Sequence, residues 1–138
     1  MAEPGAATPR PLALVIQSGD FGRVHYAFAM AAAALALNRP VTLFFTMGAI
    51  RALAADGGWV MMDGAPPPAD QDAGFAARGV ATFDELVAAC AELGARFIVC
   101  DMGLKAMDLT AADLRDDVSI EVGGLATAYL GAPELVLV

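Results

Sequence analysis

Four short apolar runs constrain this chain more than any other feature. LALVIQSG (residues 12–19), VTLFF (41–45), RFIVC (96–100) and ELVLV (134–138) are shorter than ordinary helices and nearly continuous in apolar residues. Runs of that kind read as strands buried on both faces, the pattern of a parallel sheet. Helical signals lie between them. Ser18 or Asp20 can cap a helix over residues 23–37, which ends before Pro40. TMGAIRALAAD reads as a short helix stopped at Gly57. TFDE is a capping box, Thr82 to Glu85, opening a helix over 83–93 that Gly94 stops. A helical turn is expected over 102–107 and a further cap at TAAD, 110–113. DVSIEVGGLATAYLG then holds a short extended piece and a helix to about residue 130. Apolar strands alternating with helices predict an α/β fold, a mainly parallel sheet with helices on both faces.

Residues 1–11 contain prolines and no apolar core, and are expected to form a flexible tail before a single domain over 12–138. Within it, residues 58–79 are rich in Gly and Pro without periodicity and read as a long surface loop.

Hydrophobic residues make up 58% of the 138 and charged residues 17%. That excludes a disordered chain, and the apolar excess predicts buried strands, a subunit interface or both. The net charge is -8 and the eight Lys and Arg are scattered, so a nucleic-acid partner is not expected. The longest apolar run, YAFAMAAAALAL, has about 12 residues against the roughly 20 of a membrane span, and reads as a buried amphipathic helix. No transmembrane segment is expected, and the N-terminus does not resemble a signal peptide. A cytoplasmic location follows, where thiols stay reduced. Two cysteines and one histidine, without CxxC or HxxxH spacing, predict no metal site. GxGxxG and GxxxxGK[ST] are both missing, and no cofactor is expected.

Parallel sheets bind and react at the carboxyl ends of their strands. Cys100 stands at such an end, followed by Asp101, Met102 and Gly103. Ser18, Gly19, Asp20 and Gly22 occupy the corresponding place after the first strand, and Thr46, Met47 and Gly48 after the second. These segments are expected to converge on one rim, with His25 nearby as a general base, an anion contact or simply a helix residue. SGDFG leads from strand to helix like a phosphate-binding turn, but Asp20 would repel phosphate. Cys100 reads either as a small buried residue or as a nucleophile. The dipole of the turn after it favours thiolate, whereas Asp101 opposes it. The rim methionines, Met47 and Met102 among them, suit an adaptable apolar pocket or interface packing. Cys90 falls inside a helix and reads as packing. A Cys90–Cys100 disulfide is not expected, and a redox switch using both thiols would require Cys90 to influence oxidation of Cys100.

Three segments together resemble the DsrE/DsrF-like family of small sulfur-relay proteins: SGDFGRVHYAFAMAAAALALNRPVTLFFTMGAI (18–50), LGARFIVCDMGLKAMDL (93–109) and VGGLATAYLGAPELVLV (122–138). The resemblance implies a three-layer α/β/α sandwich around a parallel sheet of about five strands. It implies homo-oligomers, often trimers or hexamers. In sulfur-transferring members a cysteine at the position of Cys100 takes sulfur as a persulfide and passes it to a partner protein. Related members commonly carry serine shortly after that cysteine, where this chain has CDMGLKAM. Two functions are therefore expected as rivals. One is a sulfur carrier with Cys100 as nucleophile and a sulfur donor or acceptor protein as partner. The other is a non-catalytic oligomeric module that binds a small ligand in a pocket Cys100 merely lines.

Overall fold

The computed structural model describes residues 9–130 and 134–138. Five parallel strands form one sheet: β1 (Leu12–Ile16), β2 (Val41–Phe45), β3 (Arg96–Cys100), β4 (Ile120–Gly123) and β5 (Glu134–Leu137), in the order β4-β3-β2-β1-β5. The expected α/β architecture is therefore present, and β4 is the extended piece expected before the last helix.

The helices follow the sequence signals closely. Helix α1 (Phe21–Ala36) begins two residues earlier than expected, directly after its cap Asp20, whose side chain accepts the Arg23 N–H at 2.9 Å. The Ser18 hydroxyl instead accepts the Asp20 N–H. The stretch after β2 winds as a 3-10 helix, Met47–Leu53. Residues 58–79 are not the structureless loop expected. They hold a 3-10 turn, Gly58–Met61, and helix α2 (Pro68–Ala77). The three prolines hid this helix, but Pro68 occupies its first turn, where a missing N–H costs nothing. Trp59 and Met62 anchor the segment to the core. Thr82 and Glu85 form the capping box of α3 (Phe83–Glu92), each side chain accepting the other's backbone N–H. Helices α4 (Asp101–Ala106) and α5 (Leu125–Tyr129) complete the chain. Of the expected tail, residues 1–8 lie outside the described residues, and Arg10 is tethered through its carbonyl to the Arg39 guanidinium at 2.8 Å.

The strand order decides how the two faces are covered. From β1 to β4 the chain steps in one direction across the sheet, so crossovers of one hand place their helices on the same face. Accordingly α1 and α3 pack over Leu14, Ile16, Leu43, Phe45, Phe97 and Val99 in the main core. The return from β4 to β5 spans the whole sheet in the opposite sense, and its five-residue helix α5 falls on the other face. There Ala128 packs on Phe44, Ile98 and Cys100 in a small second core. The sandwich thus has one thick and one thin outer layer, and Leu125, Tyr129, Leu130 and Leu137 stay exposed around the thin one. Among the described residues no helix is long and apolar enough to cross a membrane.

Candidate functional site

β3 ends at Cys100 and α4 begins at the next residue, so the cysteine is both the last strand residue and the N-cap of a helix. The sulfur takes the role that a serine or aspartate oxygen usually has there. Sγ accepts the Gly103 N–H at 3.4 Å. Gly103 is required by crowding. A Cβ at that position would lie 2.8 Å from Met47 N and Thr46 Oγ1 and 2.9 Å from Ile50 Cδ1. Only glycine lets α4 close on the turn after β2. The same economy joins the first two turns, since a Cβ on Gly48 would stand 3.0 Å from the Gly19 Cα. Met47 itself adopts a left-handed backbone, φ 51°. The ends of β1, β2 and β3 therefore do converge.

A cavity of about 240 Å³ opens at this convergence. Cys100 lies against it with Thr46, Met47 and Met102, all expected rim residues. Val15, Gln17, Phe44, Leu125 and Leu137 complete the wall and were not foreseen from sequence. Val15 and Phe44 share the face of Cys100 by strand alternation, a signal the sequence carries. Leu125 and Leu137 arrive through the long return of the chain to β5, which has no local signature. Among the described residues no Lys, Arg, Asp or Glu lines the cavity.

The other expected residues play supporting parts. Ser18, Gly19, Asp20 and Gly22 build the turn into α1 and stay outside the cavity wall. The Asp101 carboxylate meets the Lys105 ammonium at 3.3 Å, a surface pair formed one helical turn apart. It does not line the cavity that holds the sulfur. His25 is not at the site. It lies buried between α1, Phe75 and the segment before α3, and its Nε2 bonds the Ala81 carbonyl at 2.8 Å. Cys90 is on the thick-layer face, with Sγ donating to the Phe28 carbonyl at 3.4 Å, and burial pushes its thiol up to about 11. The sheet separates the two thiols, and both are free. A larger depression, about 610 Å³, surrounds Arg115, Asp84 and Asp117, whose charges are already paired with one another. Among the described residues no cluster of three or more His, Cys, Asp or Glu is arranged to hold a metal.

The cavity offers a sulfur held by a backbone donor at the floor of an apolar opening. A donor aimed at sulfur complements the negative charge of the thiolate before it attacks and the charge that returns to the sulfur when it leaves.

The DsrE/DsrF-like family model matches residues 12–129, and the chain belongs to that family. Two solved structures share the fold. The YchN protein of E. coli is 14% identical, with a TM-score of 0.65 over 94% of this chain and 99% of that one. MTH1491 of Methanobacterium thermoautotrophicum, a protein of unknown function, is 15% identical, with a TM-score of 0.59 over 87% of this chain and 88% of the other. No curated protein matches the chain. At such identities the likeness concerns the fold.

Proposed function

We propose that this protein is a cytoplasmic sulfur carrier of the sulfurtransferase type, working as a homo-oligomer and holding sulfane sulfur on Cys100. One observation carries the reading: the Cys100 sulfur, with the Gly103 N–H directed at it, lines the cavity formed where three strand ends meet. Family membership supports it. The Cys100 thiolate attacks the outer sulfur of a hydropersulfide, R–S–SH. The new S–S bond forms as the old one breaks, RS⁻ leaves, and Cys100 carries –S–SH. An acceptor thiolate then takes that terminal sulfur and regenerates the Cys100 thiolate, with no net oxidation or reduction. Exposed Met102, Leu125 and Leu137 around the mouth suit docking of a protein donor or acceptor.

A second reading, a small-ligand-binding module, is favoured by the uncharged wall of the same cavity. One experiment separates the two. The folded protein is treated with a hydropersulfide donor and read by intact mass, beside Cys100→Ser. Gain of one sulfur by the wild type alone supports the carrier. An inert Cys100, with small apolar ligands bound equally by both proteins, supports the module.

A further inference from the structure

The cavity beside Cys100 is walled mainly by carbon and sulfur. Val15, Phe44, Leu125 and Leu137 supply hydrocarbon, and Met47 and Met102 add two thioethers. Among the described residues only Thr46 and Gln17 bring a side-chain oxygen or nitrogen to the wall, and Gln17 is exposed to solvent. The Gly103 N–H is already taken by the Cys100 sulfur. The charges nearest in sequence, Asp101 and Lys105, neutralise each other at 3.3 Å and stand outside the wall. An anion that enters therefore gives up water without gaining a cationic side chain, and the net charge of -8 opposes its approach. An aliphatic group that enters gains from leaving water. The space, about 240 Å³, is smaller than the roughly 300–1,000 Å³ of sites for drug-sized ligands, so the group it admits is short.

We infer that this cavity selects by charge what reaches its sulfur: it takes sulfane sulfur from a short, uncharged aliphatic hydropersulfide and rejects sulfur oxyanions of the thiosulfate kind. The donor class rests on the carrier reading above and specifies its low-molecular-weight donor. In the accepted reaction the Cys100 thiolate attacks the outer sulfur of R–S–SH. The new S–S bond forms, the old one breaks, and RS⁻ departs with the electron pair to take up a proton from water. The alkyl group R meets the apolar wall, and the single charge is on Cys100 before the step and on the departing sulfur after it. The uncharged wall also favours the –SH terminus over –S⁻, and only the protonated form offers an outer sulfur that a thiolate can attack. With thiosulfate the same attack would set a thiolate against a dianion and expel sulfite, a second dianion. Charge in need of a partner is then present both before and after the bonds change, and such anions are normally held by Arg or Lys. Leu125 and Leu137, both exposed, keep the entrance apolar and are the residues on which the selection turns.

Alkylation tests the selection apart from sulfur transfer. Iodoacetamide and iodoacetate react with a thiolate in the same way and are nearly equal in size, but only the second is an anion. Their rates at Cys100 are measured by peptide mass on the full chain, in high salt so that the net charge of the chain is screened. The neutral-to-anionic rate ratio is expected to exceed that of 2-mercaptoethanol by about ten-fold or more. A ratio cancels the thiolate fraction, since both reagents meet the same sulfur, and the small thiol supplies their intrinsic reactivities. Leu137→Arg sets a cation at the entrance and should bring the ratio down toward that of the small thiol. Leu137→Gln removes the apolar group without adding charge and should lower it less. Leu125→Lys makes the same comparison from α5 if β5 does not tolerate the change. Intact mass then reads sulfur loading from the hydropersulfide of 2-mercaptoethanol and from thiosulfate, and the wild type should gain one sulfur from the first and none from the second. A ratio no higher than that of the small thiol overturns the inference, as does equal loading by the two donors, or L137R and L137Q that behave alike. Loading by neither donor beside a raised ratio is a failure of the carrier reading: the donor class falls with it, and selection by charge stands.

Discussion

The Cys100 sulfur accepts the Gly103 N–H at 3.4 Å, and Gly103 reaches that position only because it has no side chain. Adding one methyl group forces α4 away from Thr46 and Met47, since the new atom would sit 2.8 Å from both. Gly103→Ala is expected to lower stability by about 1–3 kcal/mol, the usual cost of overpacking a tight contact. It also moves the N–H away from the sulfur, so sulfur loading or alkylation of Cys100 slows. Urea unfolding and alkylation kinetics on one preparation check both effects. A midpoint and rate equal to wild type would mean that the close approach has no energetic consequence.

The capping box of α3 separates stability from chemistry. Thr82→Ala removes the acceptor for the Glu85 N–H and is expected to cost about 1 kcal/mol. Helix α3 packs on the face opposite Cys100, so sulfur loading in the folded protein should match the wild type. Loss of loading in a folded Thr82→Ala protein would show that the thick helical layer controls the cavity.

Gly48→Ala tests the convergence of the first two turns. Its Cβ would meet backbone, the Gly19 Cα at 3.0 Å, and backbone cannot swing aside as a flexible side chain can. A loss of about 1–2 kcal/mol is expected, with a reshaped cavity because Thr46 and Met47 shift with the turn. Thermal unfolding, together with the rate of Cys100 alkylation by a bulky reagent against a small one, reads the two consequences. A change in neither would mean that the Gly19–Gly48 contact does not shape the site.

What the sequence made legible follows from how local each signal is. VTLFF and RFIVC announce buried parallel strands because both faces are covered, and TFDE announces a helix start through backbone N–H groups only a few residues away. Cys100, Thr46, Met47 and Met102 could be placed on one rim because parallel strands present their carboxyl ends together. Leu125 and Leu137 could not, since only the return from β4 to β5 beside β1 brings them there. His25 was expected near the rim from its place early in α1. Helix periodicity turns it the other way, toward Phe75 and the Ala81 carbonyl. Helix α2 was obscured because proline usually breaks helices, and its position in the first turn is the exception.

The buried thiol that takes no part in the site makes the sharpest prediction about pH. Cys90 is fully enclosed, its Sγ bonded to the Phe28 carbonyl, and desolvation raises its pKa from 9.0 to about 11. The folded state thus favours the protonated thiol more than the unfolded chain does. Between the two values the native protein holds more protons than the unfolded one, so stability must fall as pH rises. The contribution is complete below about pH 9 and lost as pH rises through about 11. Two pKa units correspond to about 2–3 kcal/mol. The measurement compares Cys100→Ser with Cys90→Ala/Cys100→Ser, so that the cavity thiol adds nothing to either curve. Urea unfolding free energies taken from pH 8 to 11 should fall more steeply in the protein that keeps Cys90. The double variant begins lower because it loses packing, and then declines less. Parallel curves would mean that solvent reaches Cys90 in the native state, and rapid alkylation of Cys90 without unfolding would then be observed as well.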